Sequence, residues 1–311
     1  MDLPFKVIEK IEDSLSGYKL NDLKVVASTI RDRYQKEVRK DNSIIDDKLF
    51  SKVYAAYRMP ATFGACVDAL KHTLEVFNES INSIIDVGGG TGASSLALSS
   101  TFPYGKITAI EKSKSMYELG KLLTSEYANI SWVNKDIKEV EIEGDLIFAS
   151  YMLNELKDED LIPVIEKLWK MARKSLVIVE SGDKKGSAII QKVRDYLLDK
   201  GDIIAPCPRM DKCPMKSDDW CHFSTRIQRG KIQRIIKEGE APFEDEKYSY
   251  IAFSKIPVNR KSNRVLRHPL IYGNFVRLTL CQNNSIDVVD VYKKDKEKYK
   301  KARKIKIGED I

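Results

Sequence analysis

The chain has 311 residues, of which 42% are hydrophobic and 32% are charged, and its formal net charge is +7. This composition is typical of a soluble globular protein and excludes an intrinsically disordered one. No apolar run reaches the roughly 20 residues that a membrane-spanning helix needs, so we expect no membrane contact.

The first fifteen residues, MDLPFKVIEKIEDSL, are amphipathic and carry charges of both signs. They lack the apolar stretch of a secretory signal peptide, and their acidic residues argue against a mitochondrial presequence. The sequence therefore predicts a cytoplasmic protein, and we expect it to be a monomer.

Residues 1–80 are predicted to be helical, because apolar residues recur at helical spacing in VIEKIEDSL and LKVVASTIRDRYQKEV. The pattern continues through DDKLFSKVYAAYRMPATFGACVDALKHTLEVF, with a break expected at Pro60. Tyr57 and Arg58 lie just before this proline and could line a site, although packing between helices explains them more simply.

From Ile81 onward, short apolar runs alternate with helical stretches, which predicts an α/β fold with a parallel sheet between layers of helices. Residues 81–182 are expected to form this Rossmann-like core. The alternation stops over 183–246, which we interpret as an insertion. Strand patterns return in KYSYIAFSK, NFVRLTLC and SIDVVDVYK, so residues 247–311 are expected to complete the sheet and to end in a basic tail.

A glycine-rich turn follows the first predicted strand, in IIDVGGGTGASSLAL (84–98). Gly88, Gly90 and Gly92 allow a tight turn and the close approach of a ligand, and the helix that follows favours negative groups. The segment lacks Gly-Lys-Ser/Thr, which excludes a P-loop, and it matches the dinucleotide fingerprint imperfectly. By itself the turn remains compatible with a dinucleotide, a nucleotide or S-adenosylmethionine.

Acidic residues at three successive strand ends help to choose among these ligands. Asp86 is placed to contact the amino acid part of S-adenosylmethionine, directly or through water. Glu111 follows about twenty residues later, where an acid can bind both ribose hydroxyls. Asp136, with Ile137 beside it, is placed to accept from an adenine amino group. Together with the turn, these acids favour a nucleoside site.

The segment 82–182 resembles class I S-adenosylmethionine-dependent methyltransferases. In it, DLIFASYMLNEL (145–156) takes the place of the motif beside the methyl group, and Asn154 and Glu155 are the catalytic candidates there. The Asp/Asn-Pro-Pro-aromatic motif of amino-group methylators is absent, and Cys66 is interpreted as a core residue. Methyl transfer and S-adenosylmethionine binding without transfer both remain open.

Three of the five cysteines lie in CPRMDKCPMKSDDWC (207–221). Without a signal peptide, clustered thiols more often bind metal than form disulfides. The spacing differs from the close cysteine pairs of zinc sites, and Cys-Pro turns are familiar from iron–sulfur proteins. Cys281, which ends FVRLTLC, is a better fourth ligand than His222, because His222 adjoins Cys221. An iron–sulfur cluster is favoured, with zinc as the alternative.

Positive charge accumulates in the last third of the chain, in RIQRGKIQRIIK (226–237), NRKSNRVLRH (259–268) and YKKDKEKYKKARKIK (292–306). Clustered lysine and arginine suit the phosphate backbone of RNA, although a solvated surface is the alternative for any single run. The predicted RNA-binding residues are those of the first run: Arg226, Arg229, Lys231 and Arg234.

The segment APCPRMDKCPMKSDDWCHFSTRIQR (205–229) resembles the signature of the ribosomal small-subunit methyltransferase-like family. YAAYRMPATFGA, SYMLNEL, VIVESGDKKG and YSYIAFSK resemble other stretches of that family, so the similarity covers nearly the whole chain. The resemblance implies S-adenosylmethionine binding, association with small-subunit ribosomal RNA during assembly, and a 4Fe-4S cluster on Cys207, Cys213, Cys221 and Cys281. The family's eukaryotic members are mitochondrial, a location that we do not expect for this chain.

Overall fold

The computed structural model describes residues 2–35, 47–216, 218–282 and 285–311. Three helices begin the chain: α1 (Phe5–Leu15), α2 (Leu20–Gln35) and α3 (Lys48–Leu74). The Asp47 side chain caps α3 by accepting from the backbone N–H of Phe50 at 2.8 Å. In contrast to the expected break, α3 continues through Pro60. None of the helices in the described part of the chain is both long and apolar enough to cross a bilayer.

The central sheet is built from eight strands of the described chain: β1 (Ser83–Val87), β2 (Lys106–Ile110), β3 (Ile130–Val133), β4 (Gly144–Ser150), β5 (Ala172–Ser181), β6 (Asp202–Ala205), β7 (Phe223–Gln228) and β8 (Phe243–Ser254). The order is β3-β2-β1-β4-β5-β8-β6, and β7 also pairs with β8. Strands β1 to β5 are parallel, whereas β8 is antiparallel to its neighbours. The predicted α/β fold, with a parallel Rossmann-like sheet between layers of helices, is confirmed.

Helices cover both faces of this sheet, and its central strands are largely buried. Every residue of β4 is buried, as expected for a parallel strand covered on both sides. Between the strands lie α4 (Ala93–Thr101), α5 (Lys114–Leu123), α6 (Asp158–Met171), α7 (Lys184–Leu197) and α8 (Lys231–Ile236). One core lies between the sheet and α3, α4 and α5, and the other lies under α6 and α7.

The segment 183–246 is not an insertion, because it supplies α7, β6 and β7 to the central domain. Among the described residues of this segment, the longest irregular stretch lies between β6 and β7 and contains the clustered cysteines. The sequence pattern does not reveal β6 and β7, for physical reasons. β6 has four residues, and β7 pairs with the outer part of β8, where a polar sequence is tolerated.

A second, antiparallel sheet follows, with β9 (Asn263–Val265), β10 (Leu270–Ile271), β11 (Phe275–Gln282) and β12 (Ile286–Tyr292), and then α9 (Lys296–Ala302). Of the strands expected to complete the central sheet, β8 does so and β11 and β12 do not. Buried Val276, Leu278 and Leu280 alternate with less buried residues along β11 and pack against Ala302 and Ile305. This sheet therefore has a small core of its own.

Candidate cofactor and metal sites

The glycine turn links β1 to α4 in a form that side chains would obstruct. Gly88 has φ +73°, and a Cβ there would lie 2.8 Å from Cγ of Met152. Gly90 and Gly92 also have positive φ, and Gly92 caps the start of α4. The backbone N–H groups of Gly88 and Gly89 donate to the carbonyl oxygen of Ile110, which ties the turn to β2. The chain requires glycine here.

A cavity of about 270 Å³ opens beside this turn, at the carboxyl ends of the parallel strands. Open α/β sheets bind their ligands at this edge. Six residues predicted for the site line the cavity: Gly88, Gly90, Glu111, Asp136, Ile137 and Glu155. Three others do not line it: Asp86, Gly92 and Asn154.

Glu111 is fixed at the end of β2 by two backbone donors. Its Oε2 accepts from Gly90 N at 2.9 Å and its Oε1 from Ser113 N at 2.7 Å. Burial raises the pKa of this carboxyl to about 7. Each carboxylate oxygen can accept a further hydrogen bond, so Glu111 can also bind hydroxyl groups of a ligand in the cavity.

Asp86 has a different place from the one expected. Its side chain is completely buried, and Oδ2 accepts from the hydroxyls of Ser94 and Ser95 at 2.8 and 2.5 Å. Oδ1 has no partner among the described residues, and burial raises the pKa to about 6. Asp86 thus supports α4 from beneath the turn, instead of lining the cavity where a ligand would meet it.

The side chain of Asn154 binds a buried acid and does not line the cavity. Its Nδ2 donates to Oε2 of Glu180 at 2.7 Å and to the carbonyl oxygen of Tyr151 at 3.1 Å. Glu180 also accepts from the backbone N–H of Leu153 at 2.8 Å, and burial raises its pKa to about 7. Asn154 therefore lies beside the cavity without lining it, and its catalytic role stays a prediction.

Tyr151 and Glu246 were missed by the sequence analysis. Tyr151 lines the cavity, has a positive φ of 54°, and donates from its hydroxyl to Oε1 of Glu246 at 3.1 Å. Arg58 donates to the same carboxylate at 2.8 and 3.3 Å, and its guanidinium lies 5.5 Å from the Tyr151 ring centroid. No local motif reveals this cluster, because α3, the segment after β4 and β8 each contribute one residue.

The four predicted ligand cysteines line one cavity of about 40 Å³: Cys207, Cys213, Cys221 and Cys281. All are free thiols. The carbonyl oxygen of Cys221 accepts from Ser187 on α7 at 3.1 Å and from Ser249 on β8 at 2.8 Å. These bonds hold the cysteine loop against the central domain, while Cys281 reaches the cavity from β11. Cys66 lies in α3 and is buried away from this cavity.

Within the described ranges, no three metal-ligating side chains lie as close together as a single metal ion requires. The four cysteines therefore line the same cavity, but no three of them form a compact group of ligands. Burial raises the pKa of the Cys207 and Cys221 thiols, and that of Cys281 to about 12.

Buried arginines surround the thiols. Arg194 and Arg264 line the cavity and are 2% and 1% exposed. Nε of Arg194 and one terminal nitrogen of Arg209 have no partner among the described residues. Arg264 donates from Nε to the carbonyl oxygen of Pro206 at 3.1 Å and from Nη1 to that of Gly308. Buried cations of this kind suit an anionic group held by thiolates.

Two of the four predicted RNA-binding residues are neutralised within the protein. Arg226 forms two hydrogen bonds with Asp245 at 2.8 and 2.9 Å, and Arg229 binds Glu244 at 2.6 and 2.8 Å. These acids lie on β8, beside β7. The other two, Lys231 and Arg234, are exposed on α8.

The model of the family described as mitochondrial small ribosomal subunit Rsm22 matches residues 48–311. The human ribosome assembly protein METTL17, mitochondrial, is 26% identical over 197 residues, which are 56% of this chain and 43% of that protein. Rsm22-cox11 tandem protein 2, mitochondrial, of Schizosaccharomyces pombe is 25% identical over 250 residues, which are 68% of this chain and 33% of that protein. The chain thus spans less than half the length of these relatives.

Methyltransferases are also similar over shorter stretches. Acetylserotonin O-methyltransferase 3 of Oryza sativa is 30% identical over 98 residues, which are 32% of this chain and 25% of that protein. Among solved structures, the plantazolicin methyltransferase BpumL in complex with SAH covers 80% of this chain and 99% of its own, with 13% identity and a TM-score of 0.45.

These comparisons contradict the predicted cytoplasmic location, which is wrong. The family description and the names of the human and fission yeast relatives are all mitochondrial. The acidic residues near the start of the chain were therefore a poor guide to location. Because the family model covers most of the chain, this protein belongs to the family of the mitochondrial small ribosomal subunit protein Rsm22.

Proposed function

We propose that this protein binds S-adenosylmethionine beside the glycine turn and acts in assembly of the small ribosomal subunit, as a monomer in contact with ribosomal RNA. The observation that carries the proposal is the cavity at the strand ends, with Glu111 and the turn on its wall, in a chain of this family. The relative METTL17 is named a ribosome assembly protein, which supports the same role.

Different residues of the cavity suit different parts of S-adenosylmethionine. The backbone at Gly88 and Gly90 admits close approach, and Glu111 accepts hydrogen bonds from the ribose hydroxyls. Asp136 and Ile137 form a short 3₁₀ turn (Ile137–Glu139) that offers a carboxylate and an apolar side chain to the adenine. S-adenosylmethionine supplies an electrophilic methyl group when bound.

A second candidate is an assembly factor that binds S-adenosylmethionine without transferring its methyl group. The arrangement of polar groups near the cavity favours it. Asn154 is held by Glu180, and the Tyr151 hydroxyl is held by Glu246. Of the two predicted catalytic residues, Glu155 alone lines the cavity.

We further propose that Cys207, Cys213, Cys221 and Cys281 hold a 4Fe-4S cluster, with zinc as the alternative. A single zinc ion binds thiolates at about 2.3 Å and so needs a compact group of sulfurs. A four-iron cluster is held by four thiolates, and four thiols line this one cavity. The buried arginines favour the negative charge of such a cluster. Its role would be to join the cysteine loop to the second sheet.

The test combines ligand binding with methyl transfer. Purified protein should bind S-adenosylmethionine in calorimetry, and Glu111→Ala should abolish binding, whereas Glu118→Ala, an exposed acid on α5, should not. Tritiated methyl transfer to assembling small subunits then separates the two candidates. RNA labelling lost in Glu111→Ala identifies an enzyme, and subunit association without labelling identifies a factor. Failure of the wild-type protein to bind either ligand or subunit would refute the proposal.

A further inference from the structure

The positive charge of this protein is concentrated in its last 53 residues. Residues 259–311 carry fourteen lysines and arginines against six aspartates and glutamates, a net charge of +8, while the whole chain has +7. The preceding residues are therefore nearly neutral. A charge imbalance confined to one small sheet and its helix indicates a polyanionic partner for that part of the molecule.

The lysines and arginines after β12 are exposed, and no carboxylate of the described chain pairs with them. They are Lys293, Lys294, Lys296, Lys298, Lys300, Lys301, Arg303, Lys304 and Lys306. Other cations of this part are already bound. Arg277 binds Asp290 at 2.8 Å, and Arg267 binds Asp219 at 2.5 Å. The charge that remains for a partner thus lies at the end of β12 and along α9.

One face of the second sheet carries a row of aromatic rings. Phe275 and Tyr292 are paired across β11 and β12, with ring centroids 5.6 Å apart. Tyr272 stacks on Phe275 at 4.5 Å, with an angle of 19° between the rings. Tyr272 and Tyr292 are 43% and 42% exposed. The opposite face of the sheet packs against α9, so these rings lie on the face that α9 does not cover.

Cations adjoin these rings directly. Nζ of Lys294 lies 5.8 Å from the Tyr292 centroid, and the Arg277 guanidinium lies 5.4 Å from that of Phe275. Exposed stacked rings with unpaired lysines at their edge are the two components of sites for single-stranded nucleic acid, where bases stack and phosphates meet cations. A duplex would keep its bases stacked internally and could not use the rings.

We infer that this face of the second sheet binds single-stranded RNA, with bases stacked on Tyr272, Phe275 and Tyr292 and phosphates at Lys293 and Lys294. The inference rests on the proposed contact with ribosomal RNA, and it moves that contact away from Arg226 and Arg229. Those arginines are paired with carboxylates, whereas Lys294 lies beside the Tyr292 ring and pairs with no carboxylate of the described chain.

The test measures binding of a fluorescent, mixed-sequence, single-stranded RNA to the full chain by anisotropy, over a series of salt concentrations. Tyr272→Ala and Tyr292→Ala should each weaken binding about tenfold, because each removes one ring on which a base stacks. Tyr292→Phe keeps the ring and should bind as the wild type does. Tyr104→Ala is the matched control, since Tyr104 is 97% exposed but lies in the loop after α4.

Charge is tested separately through the salt dependence. The double variant Lys293→Ala, Lys294→Ala should reduce the slope of log K against log salt by about 1.4, or roughly 0.7 for each phosphate that the protein no longer neutralises. The tyrosine variants should leave that slope unchanged. A duplex of the same sequence should bind more weakly than the single strand.

The outcomes separate this inference from the proposed function. If the wild-type chain binds no RNA, the proposed RNA contact and the inference both fail. If it binds RNA equally well with both tyrosines replaced, or binds the duplex as tightly, the inference fails and the proposed function stands. If the tyrosine variants lose subunit association but not RNA affinity, the face docks a protein, which also overturns the inference.

Discussion

The carboxylate of Glu111 accepts a hydrogen bond from the backbone N–H of Gly90 at 2.9 Å, and so joins the end of β2 to the turn that follows β1. The same edge of the sheet holds two other buried acids, Asp86 beneath the turn and Glu180 at the end of β5. Each is satisfied in part by hydrogen bonds and each has a raised pKa. The edge of the sheet beside the cavity thus carries three carboxyl groups with little access to water.

These acids should make stability depend on pH. The pKa values are about 6 for Asp86 and about 7 for Glu111 and Glu180, from ordinary values of 3.8 and 4.5. The folded protein therefore binds these protons more tightly than the unfolded chain does. The stabilisation is complete below the ordinary values and is lost as the pH rises through about 6 to 7. We expect the free energy of unfolding to fall by about 1 kcal/mol or more from pH 5.5 to pH 8.

Urea denaturation at the two pH values checks this expectation. Glu180→Gln should reduce the difference between them, because the amide does not ionise, whereas Glu118→Gln should not. A stability that rises between pH 5.5 and pH 8 would contradict the assignment of these acids.

Ligand binding should have the opposite pH dependence. Ribose hydroxyls donate hydrogen bonds most strongly to an ionised acceptor, and Glu111 ionises with a pKa of about 7. The affinity for S-adenosylmethionine should therefore be about tenfold lower at pH 6 than at pH 8, the ratio set by the ionised fraction. Calorimetry at both values measures it. In Glu111→Gln the affinity should be low at both, and a persisting pH dependence in that variant would assign it to another group.

Gly88 offers a test of the turn itself. Alanine there would take a φ of +73° and place its Cβ 2.8 Å from Cγ of Met152, so Gly88→Ala should destabilise the protein by about 1–2 kcal/mol and abolish cofactor binding. Gly17→Ala is the control, because no atom lies within 4 Å of its Cβ position and its φ is not positive. Equal effects of the two substitutions on stability and binding would refute a special role for Gly88.

Local patterns predicted one wall of the cavity and missed the other. Glu111 and Asp136 could be placed from the sequence because carboxyl ends of parallel strands meet at one edge of a sheet. Asp86 follows the same rule, yet it is buried by Ser94 and Ser95, which meet it once α4 folds back. Tyr151 depends on Glu246, 95 residues away, and no spacing rule connects them.

Pairing across strands explains why the sequence suggests free charge at Arg226 and Arg229. Arg226 lies opposite Asp245 in the register of β7 and β8, and the carboxylate of Glu244 reaches Arg229. As a linear run, RIQRGKIQRIIK suggests free positive charge, because the acids that neutralise it lie on a strand whose register the sequence does not reveal. Cys281 was predicted from the need for a fourth thiolate. That need does not depend on the register of the strands.

Removal of Cys281 should be as damaging to the proposed metal site as removal of a loop cysteine. Cys281→Ser and Cys213→Ser should both lose the brown colour and the iron of anaerobically purified protein, because each deletes one of the four proposed thiolate ligands. Cys66→Ala, which changes a thiol away from the cavity, should retain both. Iron retained in Cys281→Ser would remove this residue from the ligand set, and stoichiometric zinc in colourless wild-type protein would replace the cluster.

Arg264 should hold the second sheet to the cysteine loop. It lies opposite Cys281 between β9 and β11, and it donates to the carbonyl oxygens of Pro206 in the loop and Gly308 near the end of the chain. Arg264→Leu leaves both buried carbonyl groups without this donor, so we expect a loss of about 2 kcal/mol or more in the free energy of unfolding. Single-stranded RNA affinity should fall with it, because the sheet that carries Tyr292 loses its support.

Arg303→Leu provides the comparison, since it makes the same chemical change at an exposed position of the same part of the chain. It should leave the unfolding free energy within about 0.5 kcal/mol of the wild type. Hydrogen exchange then locates the effect: in Arg264→Leu, protection should fall in β11 and β12 while β4 and β5 remain protected. Uniform loss of protection over both sheets would show that Arg264 stabilises the whole protein, and unchanged protection would show that it does not join the loop to the sheet.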